Sequence, residues 1–449
     1  MKFRSMIAAA AMAWSATVYA GVPAFPGAEG FGAGASGGRG GDVYAVTNLN
    51  DDGPGSLREG LKQGNRTIVF RVSGTIDLKT RLEVHASNIT IAGQTAPGDG
   101  ICLKGRELFF KNAENIVVRF LRLRPGDELK VEHDALTIWT CKDVIIDHCS
   151  LSWSTDSLND VVKESGNVTV QWCILSEPLA QSVHAKGSHG YATGWDGRTR
   201  GGFSGHHNLI AHANSRAPRV GYLRNAGRGL IDVRNNVIYN SGPSYGGETD
   251  DFNYVGNYFR PGPTFDGRGR SIFDIWAHDS RIYVDANVIE GREEVLRDNA
   301  TAIAFKQGKN ADGTPATQPT REMCVLDKPV TFAPVTTHTA EQAYELVTRH
   351  AGARLPKVDS VDTRILSDVL NRTGKPINSQ ADVGGWPELK SDPAPTDTDH
   401  DGMPDAWESA HGLNPNDASD GKKEATPGGY TNLEIYLNEL AAPAMPPAK

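Results

Sequence analysis

Cysteine is scarce, with Cys102, Cys141, Cys149, Cys173 and Cys324 the only five in 449 residues. So few, and odd in number, they exclude a disulfide-stapled scaffold, and buried free thiols are the expectation, with at most a pair or two bridged. Long hydrophobic runs are also missing. Beyond the N-terminus no stretch approaches the roughly 18 apolar residues of a spanning helix. Positive charge is in deficit: 46 Lys and Arg face 54 Asp and Glu, for a net −8. That balance argues against general nucleic-acid binding. The deficit is uneven, because residues 391–449 hold eleven acids against three lysines. The rest of the chain is close to neutral and can still carry a local basic cleft.

The opening "MKFRSMIAAAAMAWSATVYAG" has a basic start at Lys2 and Arg4, an Ala-rich apolar stretch, and small-residue spacing at Val18 and Ala20. It reads as a secretory signal peptide over residues 1–20, cleaved near Ala20. The expected product is an exported, monomeric protein, periplasmic or extracellular. The length allows one long domain, 21–390, and a small acidic one, 391–449.

Short β-rich runs recur through the middle: "VIIDHCSL", "VTVQWCIL", "FSGHHNLI", "IDVRNNVI", "FNYVGNYF" and "IYVDANVI". Each alternates apolar residues, then has Cys or Asn, then two mostly apolar positions. The frame aligns Cys149, Cys173, Asn208, Asn236, Asn257 and Asn287, with Leu121 of "IVVRFLRL" one unit upstream. Spacings of 28, 24, 35, 28, 21 and 30 residues point to a solenoid, not to hairpins. The intervening Gly- and Asn-rich segments lack helical periodicity, which excludes β/α units. An all-β fold follows, a right-handed parallel β-helix in which each coil buries its apolar row against the next. The recurring Asn suits a ladder of amides bonded from coil to coil. "TAEQAYELVTRHA", 339–351, reads as helix, and the segment to 390 should wrap the outside.

Counting from that frame places the unusual polar residues. Asp134 is 13 beyond Leu121, Asp156 and Asp160 are 7 and 11 beyond Cys149, Lys186 is 13 beyond Cys173, and Arg216 is 8 beyond Asn208. All five fall in one window after the same strand and should emerge on one side. Coils about 4.8 Å apart would spread three carboxylates and two cations over roughly 15 Å. Three neighbouring carboxylates repel unless protonated or bound to metal, and an all-oxygen set favours Ca2+.

"FPGAEGFGAGASGG", "TNLNDDGPGSLREGL", "VFRVSGTIDL", "DVIIDHCSLSWSTD", "HAKGSHG" and "SRAPRVG" closely resemble the pectate lyases of polysaccharide lyase family one. The likeness runs from about Ala24 to Gly221 and, more loosely, to "DVGGWPEL" at 382–389. It implies calcium-dependent β-elimination of pectate, an α-1,4-linked galacturonan, giving 4,5-unsaturated products. By position, it implies Arg216 as catalytic base and Asp134, Asp156 and Asp160 as calcium ligands. Lys186 and Arg219 would hold substrate carboxylates. Members of the family commonly have another arginine where this chain has Gly221, and Arg224 is the candidate replacement. Arginine is normally protonated below pH ~12, so a crowd of cations around Arg216 is the expected means of exposing its neutral form.

In the tail, "DTDHDGMPDAWE" sets Asp397, Asp399, Asp401, Asp405 and Glu408 at positions 1, 3, 5, 9 and 12, with Gly402 at position 6. That is the spacing of a twelve-residue calcium loop. The preceding "SDPAPT" precludes a standard entering helix, so the segment resembles EF-hand-like or thrombospondin type-three-like repeats. Two other functions share the fold. A polygalacturonase-type hydrolase would use aspartates across a water, and a non-catalytic β-helix would only bind acidic glycans.

Overall fold

The computed structural model describes residues 22–196, 201–221, 228–246, 250–309 and 312–447. Its strands stack into three parallel sheets of ten, nine and nine. They run from Asp42–Val46 to Ile303–Phe305 as the coils of a parallel β-helix. Inward columns are continuous. Ile91, Val118, Ile146 and Val170 stand in register on successive coils of the first sheet. Gly205 continues the column because Trp195 fills its space: a Cβ there would lie 2.6 Å from the indole.

The frame read from sequence marks the corner between the first and second sheets. The Cys173 amide donates to Asn208 Oδ1 at 2.9 Å, and Asn208 donates from both backbone and side chain to Asn236 Oδ1 at 3.0 Å. Asn236 repeats this with Asn257, and Asn257 with Asn287. The ladder extends one rung beyond the expected set, to Asn299, which lies in a 3-10 turn. All five cysteines are free and buried.

The residue before each rung turns the corner in the left-handed region: Phe120, His148, Trp172, His207 and Asn235 have φ of 57°, 49°, 52°, 54° and 53°. Such values are unfavourable for non-glycine residues. Here the outward rings stack on one another, Phe120 on His148, His148 on Trp172, and Trp172 on His207.

The glycine-rich N-terminal motif crosses the outer face of the first sheet. The Gly32 amide donates to Thr169 Oγ1 at 2.8 Å, Ser36 to Asn115 Oδ1 at 2.6 Å, and Gly38 to Thr90 Oγ1 at 3.0 Å. Side chains would not fit, since a Cβ on Gly32 would sit 2.2 Å from the Val144 carbonyl oxygen.

Helices Ala340–His350 and Ser360–Asn371 cover the second sheet, with Val347, Ala351, Ile365 and Val369 packing on Ile174, Leu209, Val237 and Tyr239. Asp359, which caps the second helix, is ion-paired with the buried Arg122 and Arg124, and Asp362 pairs with Arg124 at 2.7 Å. The acidic tail lies on the first coils. Met403 packs with Ala92, Leu433, Tyr436 and Leu437, flanked by the ion pairs Arg39–Glu434 (2.8 Å) and Lys422–Asp42 (2.7 Å). No helix among the described residues is long and apolar enough to cross a membrane.

Candidate functional site

The third sheet carries the site. Strands alternate, so with Leu136, Ile138 and Val161 in the core, Thr137 and Asp160 face out. One lateral row then reads Thr137, Asp160, Gly194, Arg219 and Tyr245 on successive coils. Gly194 has a purpose in that row, because a Cβ there would lie 2.7 Å from Asp160 Oδ1. A side chain would fill the space the carboxylate uses.

Asp134 and Asp156 enter just before strands Leu136–Trp139 and Ser157–Val162. Asp134 accepts from the Ser157 amide at 2.9 Å and from Thr137 Oγ1 at 2.6 Å. Burial, then the charges of Asp160, Asp156 and Glu107, push its carboxyl well above the usual range. Burial lifts Asp160 to about 6; Arg216 opposes the shift and Asp156 adds to it. Asp160 Oδ1 is buried without a hydrogen-bond partner. The crowding and the unpartnered buried oxygen suit a hard divalent cation such as Ca2+, although Asp134, Asp156 and Asp160 do not converge into one ligand set as Asp156, His184 and His189 do.

Arg216 precedes strand Arg219–Val220 and sits at φ 56°. It donates to Ser157 Oγ at 3.1 Å, and its Cζ lies 4.1 Å from the Tyr191 ring centroid. Nε is buried without a partner. The electrostatics differ from the expected crowd of cations. Burial pulls the Arg216 pKa down, but Asp160, Tyr245 and Asp156 outweigh it and leave it raised. The carboxylates nearest the guanidinium therefore hold it charged.

Arg219 lies in the outward row, its Cζ 5.8 Å from the Tyr245 ring centroid. Lys186 is exposed on the loop before strand Tyr191–Trp195. Gly221 ends the second-arginine strand at φ 77°. Arg224 lies outside the described residues.

Several groove residues were not anticipated. His184 and His189 flank Lys186, and their rings stack at 3.2 Å. Each has Nε2 3.7 Å from an Asp156 oxygen, and the three side chains form a potential metal-ligand set. His189 also packs on Tyr191, so a chain of rings leads from the loop to Arg216. The motif "HAKGSHG" contains both histidines, but spacing in an irregular loop does not reveal that they meet.

In the tail, Asp397, Asp399 and Asp401 converge, as do Asp401, Glu408 and Asp420. Asp420 was not anticipated. Asp405 is not in either set, because its oxygens accept from the Thr398 amide and hydroxyl at 2.8 and 2.7 Å.

A probable pectate lyase C of Aspergillus flavus is 36% identical over 431 residues, covering 93% of this chain and 94% of that protein. The chain belongs to the pectate lyase family. The same protein name in Neosartorya fischeri accompanies 35% identity over 98% of this chain and 99% of the relative. That leaves too little uncovered to exclude the acidic tail from the match. No family model matches the chain. Among solved structures, jun a 1, the major allergen from cedar pollen, shares the fold with a TM-score of 0.52 and 19% identity, over 72% of this chain and 92% of that one. The thermostable pectate lyase PL 47 does so at 0.50 and 17%, over 73% and 97%. The chain is thus a polysaccharide lyase that cleaves pectate, built on a parallel β-helix.

Proposed function

We propose that this pectate lyase cleaves by calcium-dependent β-elimination in the groove along the third sheet, with Arg216 as base. The observation that carries this reading is the placement of Arg216 beside Asp160, on one outward face with Asp134 and Asp156. Those three carboxylates would hold the ion. Bound there, calcium would draw electron density from the carboxylate of the reacting galacturonate and so acidify its C5 hydrogen.

Arg219 and Lys186 supply positive charge for the acidic polymer on either side, with Arg224 as a third candidate. Neutral Arg216 takes the C5 proton on a guanidine nitrogen. The C5 electron pair forms the C4=C5 double bond as the C4–O bond breaks, and the departing oxygen is protonated from solvent. Ser157 and the Tyr191 ring hold the guanidinium in place for that transfer. Satisfying the charges of Asp134, Asp156 and Asp160 removes the electrostatic support that keeps Arg216 protonated. Residues 1–20 would direct the enzyme out of the cytoplasm, where it would act on pectate as a monomer.

The test is polygalacturonate with calcium or with chelator, comparing wild type, Arg216→Ala and Asp160→Asn. Wild type should form a conjugated, ultraviolet-absorbing product only with calcium, and both variants should lose nearly all of it. Reducing ends released without that absorbance would indicate hydrolysis and overturn the reading.

A further inference from the structure

Six carboxylate oxygens in the tail are buried with no hydrogen-bond partner: Asp397 Oδ1, Asp399 Oδ2, Asp401 Oδ2, both oxygens of Glu408, and Asp420 Oδ1. Four of the five residues are almost fully enclosed, with Glu408 0%, Asp401 4%, Asp420 5% and Asp397 7% exposed, and Asp399 is half-buried. The aspartates divide their labour. Asp397 Oδ2 faces Arg71 at 3.4 Å, and Asp399 Oδ1 accepts from the Asp401 amide at 3.3 Å. Asp401 Oδ1 accepts from the Met403 amide at 2.9 Å, and Asp420 Oδ2 from the Asn414 amide at 3.0 Å. The other oxygen of each is left for a shared centre.

Burying an anionic oxygen without a donor costs several kcal/mol, and here that cost is concentrated where the two converging sets meet at Asp401. Gly421 is shaped to this arrangement, since a Cβ on it would lie 2.3 Å from Asp401 Oδ2. Six oxygens, with Glu408 able to offer two, match the ligand number and flexible geometry of Ca2+ better than the strict octahedron of Mg2+.

We propose that Asp397, Asp399, Asp401, Glu408 and Asp420 bind one calcium ion that clamps the tail onto the first coils, supporting the stability of the whole β-helix separately from the groove. The ligands come from three segments: the loop 397–401, the helix Asp405–His411, and the turn at 420. Between them sits Met403, fully buried on Ala92, Leu433, Tyr436 and Leu437, so the ion's shell and the tail's apolar contact are one unit. Arg71, at the end of strand Arg66–Phe70, joins that unit through Asp397. Releasing the ion would therefore loosen the cover of the first coils as well as the tail.

The experiment uses the full chain, stripped with chelator and titrated with calcium chloride by calorimetry, with thermal unfolding in parallel. Asp160→Asn should keep one tight site and the calcium-induced rise in unfolding temperature. Glu408→Gln and Asp420→Asn should lose both and still turn over pectate at saturating calcium and low temperature. Either variant binding as many ions as wild type would overturn the proposal. Hydrogen exchange on the wild type is the check should those variants fold poorly. Calcium should slow exchange at least tenfold across 397–421 and in strand Arg66–Phe70, and unchanged exchange there would equally overturn it. Because the groove site is removed by Asp160→Asn alone, failure of the clamp is distinguishable from failure of the lyase reading.

Discussion

Arg216 lies over Tyr191, its Cζ 4.1 Å from the ring centroid, while its Nη1 donates to Ser157 Oγ. The ring face is therefore a positioning surface for the proposed base, and the phenol hydroxyl is not needed for that contact. Such a contact is worth ~1 kcal/mol. Tyr191→Phe should keep kcat within about threefold, and Tyr191→Leu should lower it about fivefold with little change in KM. Steady-state kinetics on polygalacturonate decides, and equal losses in the two variants would assign the hydroxyl a role instead.

Arg216→Ala and Arg216→Lys separate charge from chemistry. Loss of a proton-transfer group costs roughly 10²–10⁴-fold. Arg216→Ala should fall at least that far with its unfolding temperature unchanged. In wild type the nearby carboxylates raise the Arg216 pKa, so the deprotonated fraction grows with pH, and the rate should climb toward alkaline pH. A rate maximum near pH ~5, far below the arginine range, would remove Arg216 from the role of base.

The asparagine ladder predicts a stability loss at a distance from the groove. Asn236 Oδ1 accepts from both the backbone and side chain of Asn208 at 3.0 Å. Asn236→Ala leaves those donors buried and unpaired, which should destabilise the chain by ~2–4 kcal/mol. Urea denaturation should show a lower midpoint, while kcat at low temperature stays near wild type.

Acid should detach the outer helices. Burial alone would raise the Asp359 carboxyl, but Arg124 and Arg122 outweigh it and hold it at about 2, below its ordinary 3.8. A depressed folded value means the stabilisation is complete above the ordinary value and is lost as pH falls toward the folded one. Unfolding free energy should therefore drop between about pH 4 and pH 2. Asp359→Asn, which removes the charge partner of Arg122 and leaves Arg124 with Asp362 alone, should cost ~3 kcal/mol and flatten that part of the profile.

Much of this was readable from spacing. A coil returns each residue to its own column, so variations of 21 to 35 residues between rungs leave the Asn frame intact. The same property carried Asp134, Asp156, Asp160 and Arg216 to one face, because offsets from the rung survive whatever loops intervene elsewhere in the coil. Where geometry leaves the strands, the frame is silent. His184 and His189 meet inside a loop, and Asn299 joins the ladder from a 3-10 turn. Asp420 reaches Glu408 through a turn whose path no periodicity describes. The charge balance around Arg216 is not legible either: sequence counts cations, but without the ion the carboxylates Asp160 and Asp156 outweigh burial at the guanidinium.

The sulfur atoms lead somewhere practical. Cys149 and Cys173 act as rungs, the Cys149 amide donating to Cys173 Sγ at 3.4 Å, and none of the five thiols is bridged. Maturation then requires neither an oxidant nor an isomerase, and dithiothreitol has nothing to break. Active material should be obtainable straight from a reducing bacterial cytosol, without routing the polypeptide through an export pathway.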